Sequence, residues 1–404
     1  MKNQSDNPKI VANAGSYAWA IVAVVWLAGF SAPANMAKVT TLAPVIMEVF
    51  GIGPETIGWV IALFYALGII LAFPAAGIIN RFGIKACVIV SIICGALGSL
   101  AGVVSENLTI FMASRVLEGA GMGLLTVAGP AAITPWFPPA RRGLPLGIWG
   151  MWVALAMFVC PIIYAAVAES AGWRIVWWIT FFFDIIVLAL FFIVYRDPDF
   201  VFEGETSEHE NMRPSLGRVL RNRTVWALGL VFFFDQLAVM AVNNFTTTYL
   251  TTVVGVALTL AATMASVAAA IGTICSPLAG KISDALKTRR WVLVVGCVAG
   301  IVYTAAYFNT TSVELIWVLV VIGGIVGGVV PAMIFAATPE QVDPADVPNA
   351  LAMVSFTQNV GMFVGATVLG TAVTAIGWSS SALFILAPCF VMATLIAIFT
   401  RSIR

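Results

Sequence analysis

Long apolar runs alternate with short polar breaks along nearly the whole chain. Runs of spanning length fall at 16–38, 54–79, 84–104, 108–133, 143–168, 173–195, 224–250, 256–282, 290–308, 313–337, 347–376 and 379–400. A hydrocarbon core of ~30 Å needs about 20 apolar residues per helical crossing, so the pattern predicts an all-α membrane protein with twelve transmembrane helices. The first run follows Lys2 and Lys9 as a secretory signal would, but it lacks a polar cleavage region and more spans follow. It is therefore read as a retained anchor. One long polar interruption, 197–222, carries Glu203, Glu205, Glu208 and Glu210 and then Arg213, Arg218 and Arg221. It divides the chain into a first bundle, 1–196, a linker, 197–222, and a second bundle, 223–404.

Charge placement sets the orientation. With the N-terminus inside, all but three of the 20 Lys and Arg residues fall on one side of the alternating spans. The exceptions are Lys38, Arg115 and Arg174, and only Arg174 lies in an outside loop, where Glu55, Glu106, Glu169 and Glu314 also fall. Short cytoplasmic loops carry the basic residues, so both termini are expected inside, in a bacterial inner membrane. Composition agrees: 61% of residues are hydrophobic and 10% charged, against roughly 25% charged in soluble domains. A net charge of +1 without basic–aromatic clusters gives no nucleic-acid signal. Cys87, Cys94, Cys160, Cys275, Cys297 and Cys389 sit in apolar runs without CxxC spacing and read as small buried hydrophobes. With His209 as the one histidine, no metal site, catalytic triad or cofactor is expected.

The two halves repeat at one offset. Asn80 corresponds to Asp284, 204 residues later, and Lys85 to Arg289, Gly119 to Gly323, Gly123 to Gly327 and Thr134-Pro135 to Thr338-Pro339. Such duplication is common in secondary transporters, which bind substrate where the repeats meet.

The segment Ala76-Gly77-Ile78-Ile79-Asn80-Arg81-Phe82-Gly83-Ile84-Lys85 resembles the loop motif G-x-x-x-D-R-x-G-x-[RK] of the major facilitator superfamily. Its second copy is Gly280-Lys281-Ile282-Ser283-Asp284, followed by Arg289 and Arg290. Arg115-Val116-Leu117-Glu118-Gly119-Ala120-Gly121 is similar to that family's R-x-x-x-G-x-G pattern on the fourth helix. The resemblance covers essentially the whole chain. It implies two six-helix bundles, alternating access, a monomer, and a latch made by Asn80, Arg81, Lys85, Asp284, Arg289 and Arg290. The first copy departs at Ala76 and Asn80, so its latch is expected to be the weaker one. The Gly-Pro pair of the family's antiporters is missing from the fifth run, where Cys160 precedes Pro161. A phosphate loop fails at Lys281, which follows Gly280 but precedes Ile282 rather than Ser or Thr. The crowded Gly119, Gly121 and Gly123 lie inside a span, where small residues let helices pack closely.

Besides Glu55, Lys85, Arg174, Lys281, Arg290 and Glu314, which flank the loops at the ends of their runs, five charged residues fall within the predicted spans: Lys38, Arg115, Glu118, Asp184 and Asp235. Each costs roughly 2.5–3.5 kcal/mol at a helix centre and so needs a partner, water or a function. Lys38, with Asn35 and Thr41 on its face, either contacts an anionic substrate or snorkels to the outer interface. The resemblance extends its helix through Pro44, which would place Lys38 in a central cavity. Arg115 and Glu118, three apart, either neutralise each other or couple, with proton binding to Glu118 releasing Arg115 for an anion. Asp235 is the leading proton-coupling candidate, and Asp184 is read as a structural pair between the halves. Asn243, Asn244 and Thr246-Thr247-Thr248 suggest a broken helix able to hold substrate. Gln358, Asn359, Trp149 and Trp152 are candidate cavity walls, with packing as the alternative.

The expected function is secondary active transport of a small organic or inorganic anion, driven by protons or by exchange. The outline resembles the cyanate/nitrate and organic-anion permease branches through Lys38 and the Arg-Arg-Gly-Leu-Pro-Leu-Gly connection at 141–147. Two alternatives stand beside it: proton-coupled efflux of lipophilic cations using Glu118 and Asp235, and a transporter-like membrane sensor.

Overall fold

A computed structural model describes residues 9–11, 15–138, 141–198, 200–202 and 215–400; the side chains of 9–11, Ala76, Asn80 and 200–202 are not described. Lys2, the acidic part of the linker with His209 and Arg213, and Arg401 and Arg404 lie outside the described residues.

The first half is built from α1 (Tyr17–Phe50), α2 (Pro54–Leu71), α3 (Ala75–Phe82), α4 (Ile84–Val104), α5 (Leu108–Ile133), α6 (Gly143–Gly150), α7 (Trp152–Ala171) and α8 (Trp173–Val194). A short α9 (Leu216–Arg221) leads into the second half: α10 (Arg223–Tyr249), α11 (Leu258–Leu286), α12 (Arg289–Tyr307), α13 (Val313–Ala337), α14 (Val347–Ser381) and α15 (Ala387–Phe399). Backbone groups in hydrocarbon must be satisfied within the protein, and helices do this within one segment. One departure from the all-α expectation is a pair of three-residue strands, β1 (Lys9–Val11) and β2 (Phe200–Phe202), which run parallel.

Several predicted runs change shape. α1 continues to Phe50 rather than ending near 38, because the charge that lowers hydropathy there is neutralised inside the fold. The second run divides into α2 and α3 around Pro74, which lacks an N–H and crowds the preceding residue. Among the described residues eleven helical stretches are long and apolar enough to span. The last covers Pro344–Phe399, 56 residues, or about 84 Å at 1.5 Å per residue. That is far more than one crossing needs. Within it Gly377 takes φ +78° and ψ 172°, a conformation that side chains disfavour, and breaks the helical path. Divided there, the stretch supplies two crossings, which is consistent with the twelve expected.

The buried core shows how the halves meet. One cluster joins Leu42, Ile46, Ile57, Ile61, Phe64, Phe111, Trp173 and Trp177 of the first half to Phe232, Phe245, Tyr249, Ile316 and Leu369 of the second. Its first-half members lie toward the base-poor loops. A separate cluster, including Ile21, Val25, Ile92, Leu125, Trp136, Trp149 and Phe191, fills the base-rich end of the first half and contains nothing from the second. The halves thus share a continuous core at the base-poor end and have separate cores at the base-rich end.

Backbone contacts strengthen that seam. A Cβ on Gly58 of α2 would lie 2.5 Å from the Ala366 carbonyl oxygen of α14, and one on Gly370 would lie 2.3 Å from that of Pro54. The Thr247 hydroxyl donates to the Thr40 carbonyl at 2.7 Å. Glu169, at the end of α7, accepts from the Thr259 amide in the first turn of α11 at 3.1 Å, where helix N-terminal N–H groups lack internal partners. The α2–α14 seam also carries Trp59 on Phe363 (6.0 Å) and Phe73 on Phe356 (5.4 Å).

The end of the linker is fastened to the second half. Asp346 accepts from the Ser215 amide at 2.6 Å and from Arg218 Nε at 2.6 Å and Nη2 at 3.0 Å. This bond holds the Arg218 guanidinium above its ordinary pKa. Asn222 Nδ2 donates to the Gln341 carbonyl at 2.7 Å. Asp346→Asn is expected to speed protease cleavage within 197–222 while leaving the melting temperature nearly unchanged. Unaltered cleavage would mean that other contacts secure the linker.

Candidate functional site

Three glycines of α4 make room for the polar centre of the first half. A Cβ at Gly95 would meet Asp184 Oδ2 at 2.9 Å, one at Gly98 would meet Glu118 Cγ at 2.5 Å, and one at Gly102 would meet the Trp177 ring at 2.4 Å. Into that space α1, α5 and α8 deliver Lys38, Arg115, Glu118 and Asp184, each no more than 1% exposed. Lys38 Nζ lies 2.6 Å from Glu118 Oε1 and donates to Ser99 Oγ at 2.8 Å and Thr180 Oγ1 at 3.0 Å. It also sits 5.0 Å from the centre of the Trp177 ring. Arg115 pairs with the other oxygen of Glu118, donates to the Asn35 carbonyl at 3.2 Å, and stacks 5.0 Å from the Phe64 ring. Asp184 accepts from Ser31 and from Asn35 Nδ2, the latter at 3.1 Å. Asn35 Oδ1 in turn accepts from Ser99 at 2.8 Å. Two cations and two acids therefore form one neutral, buried network, as ionisable groups at membrane depth require.

This geometry corrects two expectations. Lys38 neither snorkels nor faces an open central cavity; it is enclosed by α1, α4, α5 and α8. Asp184 pairs inside the first half rather than between halves, because it shares a buried face with Ser31 and Asn35 of α1. Arg115 and Glu118 do neutralise each other, and Lys38 is a further partner that spacing did not reveal.

The interface between halves adds a second polar group. Tyr65 of α2 is buried within electrostatic reach of both Arg115 and Asn244 of α10. The Tyr65 hydroxyl, Asn244 Nδ2 and Arg115 Nε have no hydrogen bond of ordinary geometry. Asn359 of α14 lies at the same seam, where a Cβ on Gly68 would meet its Oδ1 at 2.9 Å. Its Nδ2 donates to the Ser355 carbonyl at 2.9 Å. Gln358 is half-buried. Asp235 of α10 is fully buried; its Oδ2 accepts from Gln236 Nε2 at 2.8 Å, while its Oδ1 and Gln236 Oε1 lack partners. Cys297 of α12 is within electrostatic reach of Asp235.

Other candidates fall elsewhere. Asn243 is exposed while Asn244 is buried, as adjacent residues on a helix diverge by about 100°. The helix is not broken at 246–248; it runs to Tyr249 and widens into a π turn at Leu250–Val254. Trp149 and Trp152 stack at 4.9 Å and occupy the space left by Gly29 and Gly129, so they are packing. In the expected latch, Asn80's side chain is not among those described. Arg81 is exposed and Lys85 lies 5.4 Å from the Phe192 ring. Arg289 pairs with Asp284 at 3.6 Å and with Glu340 at 2.8 Å, and Arg290 donates to the Ala397 and Ile398 carbonyls. These bonds all lie within the second half. Ser31, Tyr65, Ser99, Thr180, Trp177 and Glu340 join these contacts without standing out in the sequence pattern. Ser99 and Thr180 in apolar runs were the available signal.

The sequence profile described as Major Facilitator Superfamily matches residues 25–308 and again 274–403. The chain belongs to that superfamily. The major facilitator fold is also that of a bacterial homolog to the human lysosomal transporter Spinster, crystallised in an inward-facing, unoccupied conformation. That structure superposes with a TM-score of 0.78 and 18% identity over 96% of both chains. Among curated relatives, the hexuronate transporter of Escherichia coli is 23% identical over 59% of this chain and 58% of its own length. The nitrite extrusion protein of Bacillus subtilis shows the same identity and shares. Two uncharacterized MFS-type transporters, of Bacillus subtilis and Mycobacterium tuberculosis, are 27% and 33% identical. The chain spans only 33% and 23% of their respective lengths.

Proposed function

We propose that this chain is a secondary active transporter that moves a small organic or inorganic anion across the membrane by alternating access, coupled to protons. The observation that carries the reading is the buried group at the seam: Arg115 with its Nε unpartnered, beside the Tyr65 hydroxyl and the Asn244 amide. All three can donate hydrogen bonds, and a carboxylate or other oxyanion supplies acceptors alone. Two relatives named for hexuronate and nitrite agree with that chemistry. Protonation of Glu118 would break its pair with Arg115 and free a guanidinium for the anion. In this reading Lys38 supports the network, the base-rich face is cytoplasmic, and the protein works as a monomer in the inner membrane.

The test is uptake of radiolabelled glucuronate and of nitrite by proteoliposomes under an imposed pH gradient. Saturable uptake of either, abolished by a protonophore and reduced more than about tenfold by Arg115→Gln, supports the reading. Neither anion moving would sink it for both relatives' substrate types. A second reading, efflux of a lipophilic cation, is favoured by the bare acceptors Asp235 Oδ1 and Gln236 Oε1. Gradient-driven transport of ethidium, lost in Asp235→Asn, would select it.

A further inference from the structure

The neutral network of the first half contains more than an anion–proton site needs. Glu118 already has Arg115 as a partner, yet it also holds Lys38. Asp184, meanwhile, is served by neutral donors alone, Ser31 and Asn35. Lys38 lies within electrostatic reach of Asp184, and it touches Thr180, which is one helical turn from Asp184 on α8. Between the two acids runs the small face of α4, with Gly95 against Asp184, Gly98 against Glu118, and Ser99 bonded to Lys38. Asn35 spans the same gap, donating to Asp184 and accepting from Ser99. Hydroxyls thus line a short path between two carboxylates, and the mobile element is a four-carbon stem carrying a point charge.

We propose that Lys38 is an internal counter-cation that changes partner, resting on Glu118 while that acid is ionised and crossing to Asp184 when Glu118 takes up a proton. Charge conservation supplies the reason. Lys38, Arg115, Glu118 and Asp184 sum to zero, and a net charge buried at membrane depth is costly. A proton on Glu118 raises the sum by one. If Lys38 neutralises Asp184, the surplus resides on Arg115, at the seam between halves. A monovalent anion then restores neutrality, so one proton accompanies one anion. This last step rests on the function proposed above; the lysine exchange does not. The other titratable groups facing the network are Tyr65 of α2, near Arg115, and Tyr164 of α7, within reach of Asp184 and adjacent to Cys160.

The experiment uses no substrate, so its failure is separate from a failure of uptake. In the full chain, Arg115→Met/Glu118→Gln removes one charge of each sign and leaves the network neutral, with Asp184 as the remaining acid for Lys38. Its structure is expected to show Lys38 Nζ within about 4 Å of the Asp184 carboxylate. Adding Asp184→Asn is expected to lower the melting temperature roughly twice as far in that background as in the wild type, the mark of an interaction formed only there. Should the double variant not be recovered, Glu118→Gln alone is read in the same way. A lysine still held by Ser99 and Thr180 alone, or equal Asp184→Asn shifts in the two backgrounds, overturns the proposal.

Discussion

Glu118→Leu is expected to cause the largest loss of stability of any single charge removal in this chain. Both Glu118 oxygens are occupied, one by Arg115 and one by Lys38 at 2.6 Å, and its side chain is fully buried. Deleting it leaves two buried cations facing one another, with Asp184 the sole acid beside them among the described residues. Breaking a buried pair by removing one partner costs about 3–5 kcal/mol, because the orphaned charge has no solvent to turn to. The measurement is thermal unfolding of the purified protein in detergent. Arg115→Met/Glu118→Leu should recover much of the loss, since it removes a cation with the acid. If Glu118→Leu melts with the wild type, the network is not what holds these helices together.

Gly119→Val should prevent the first half from assembling. A Cβ at Gly119 of α5 would lie 1.9 Å from the Phe64 carbonyl oxygen of α2, and backbone cannot yield as a side chain can. The two helices would have to part, disturbing the Phe64 ring on which Arg115 stacks at 5.0 Å. Its neighbours provide a graded control. A Cβ at Gly121 meets the Ser91 carbonyl oxygen at 2.8 Å, and one at Gly123 meets the end of the flexible Leu71 side chain at 3.1 Å. Overpacking costs about 1–3 kcal/mol where the surroundings give slightly, and more where they do not. The yield of monodisperse protein should therefore fall in the order Gly123→Ala, Gly121→Ala, Gly119→Val. Equal yields would show that these glycines do not set the distances from α5 to α2 and α4.

Both experiments concern residues whose partners were hidden in the sequence to different degrees. The Gly119-Gly121-Gly123 spacing announced close packing, because small residues within a membrane span have few other uses. Arg115 and Glu118 announced each other by their three-residue separation. Lys38 announced only that it needed company. Its partners Glu118, Ser99 and Thr180 come from helices brought together by folding, at separations of 61 to 142 residues for the two hydroxyls. The partners of Asp184 are hidden for the same reason. Its local setting, Phe-Phe-Phe-Asp, gives no indication of Ser31 and Asn35. Trp149 and Trp152 were candidate cavity walls until Gly29 and Gly129 proved to be the surfaces opposite them.

By itself the sequence determined which segments are apolar and long enough to span, that there are two related halves, and which loops carry the basic residues. Each follows from properties that accumulate along the chain: hydrocarbon excludes unsatisfied backbone and charge segment by segment. Only the tertiary structure decided which way each helix turns its polar residues. Spans that are apolar nearly all round carry little facing information in their period. The placing of Lys38 between Glu118 and Asp184, the meeting of Tyr65 with Asn244, and the joining of the halves at the base-poor end therefore arise from packing between distant segments.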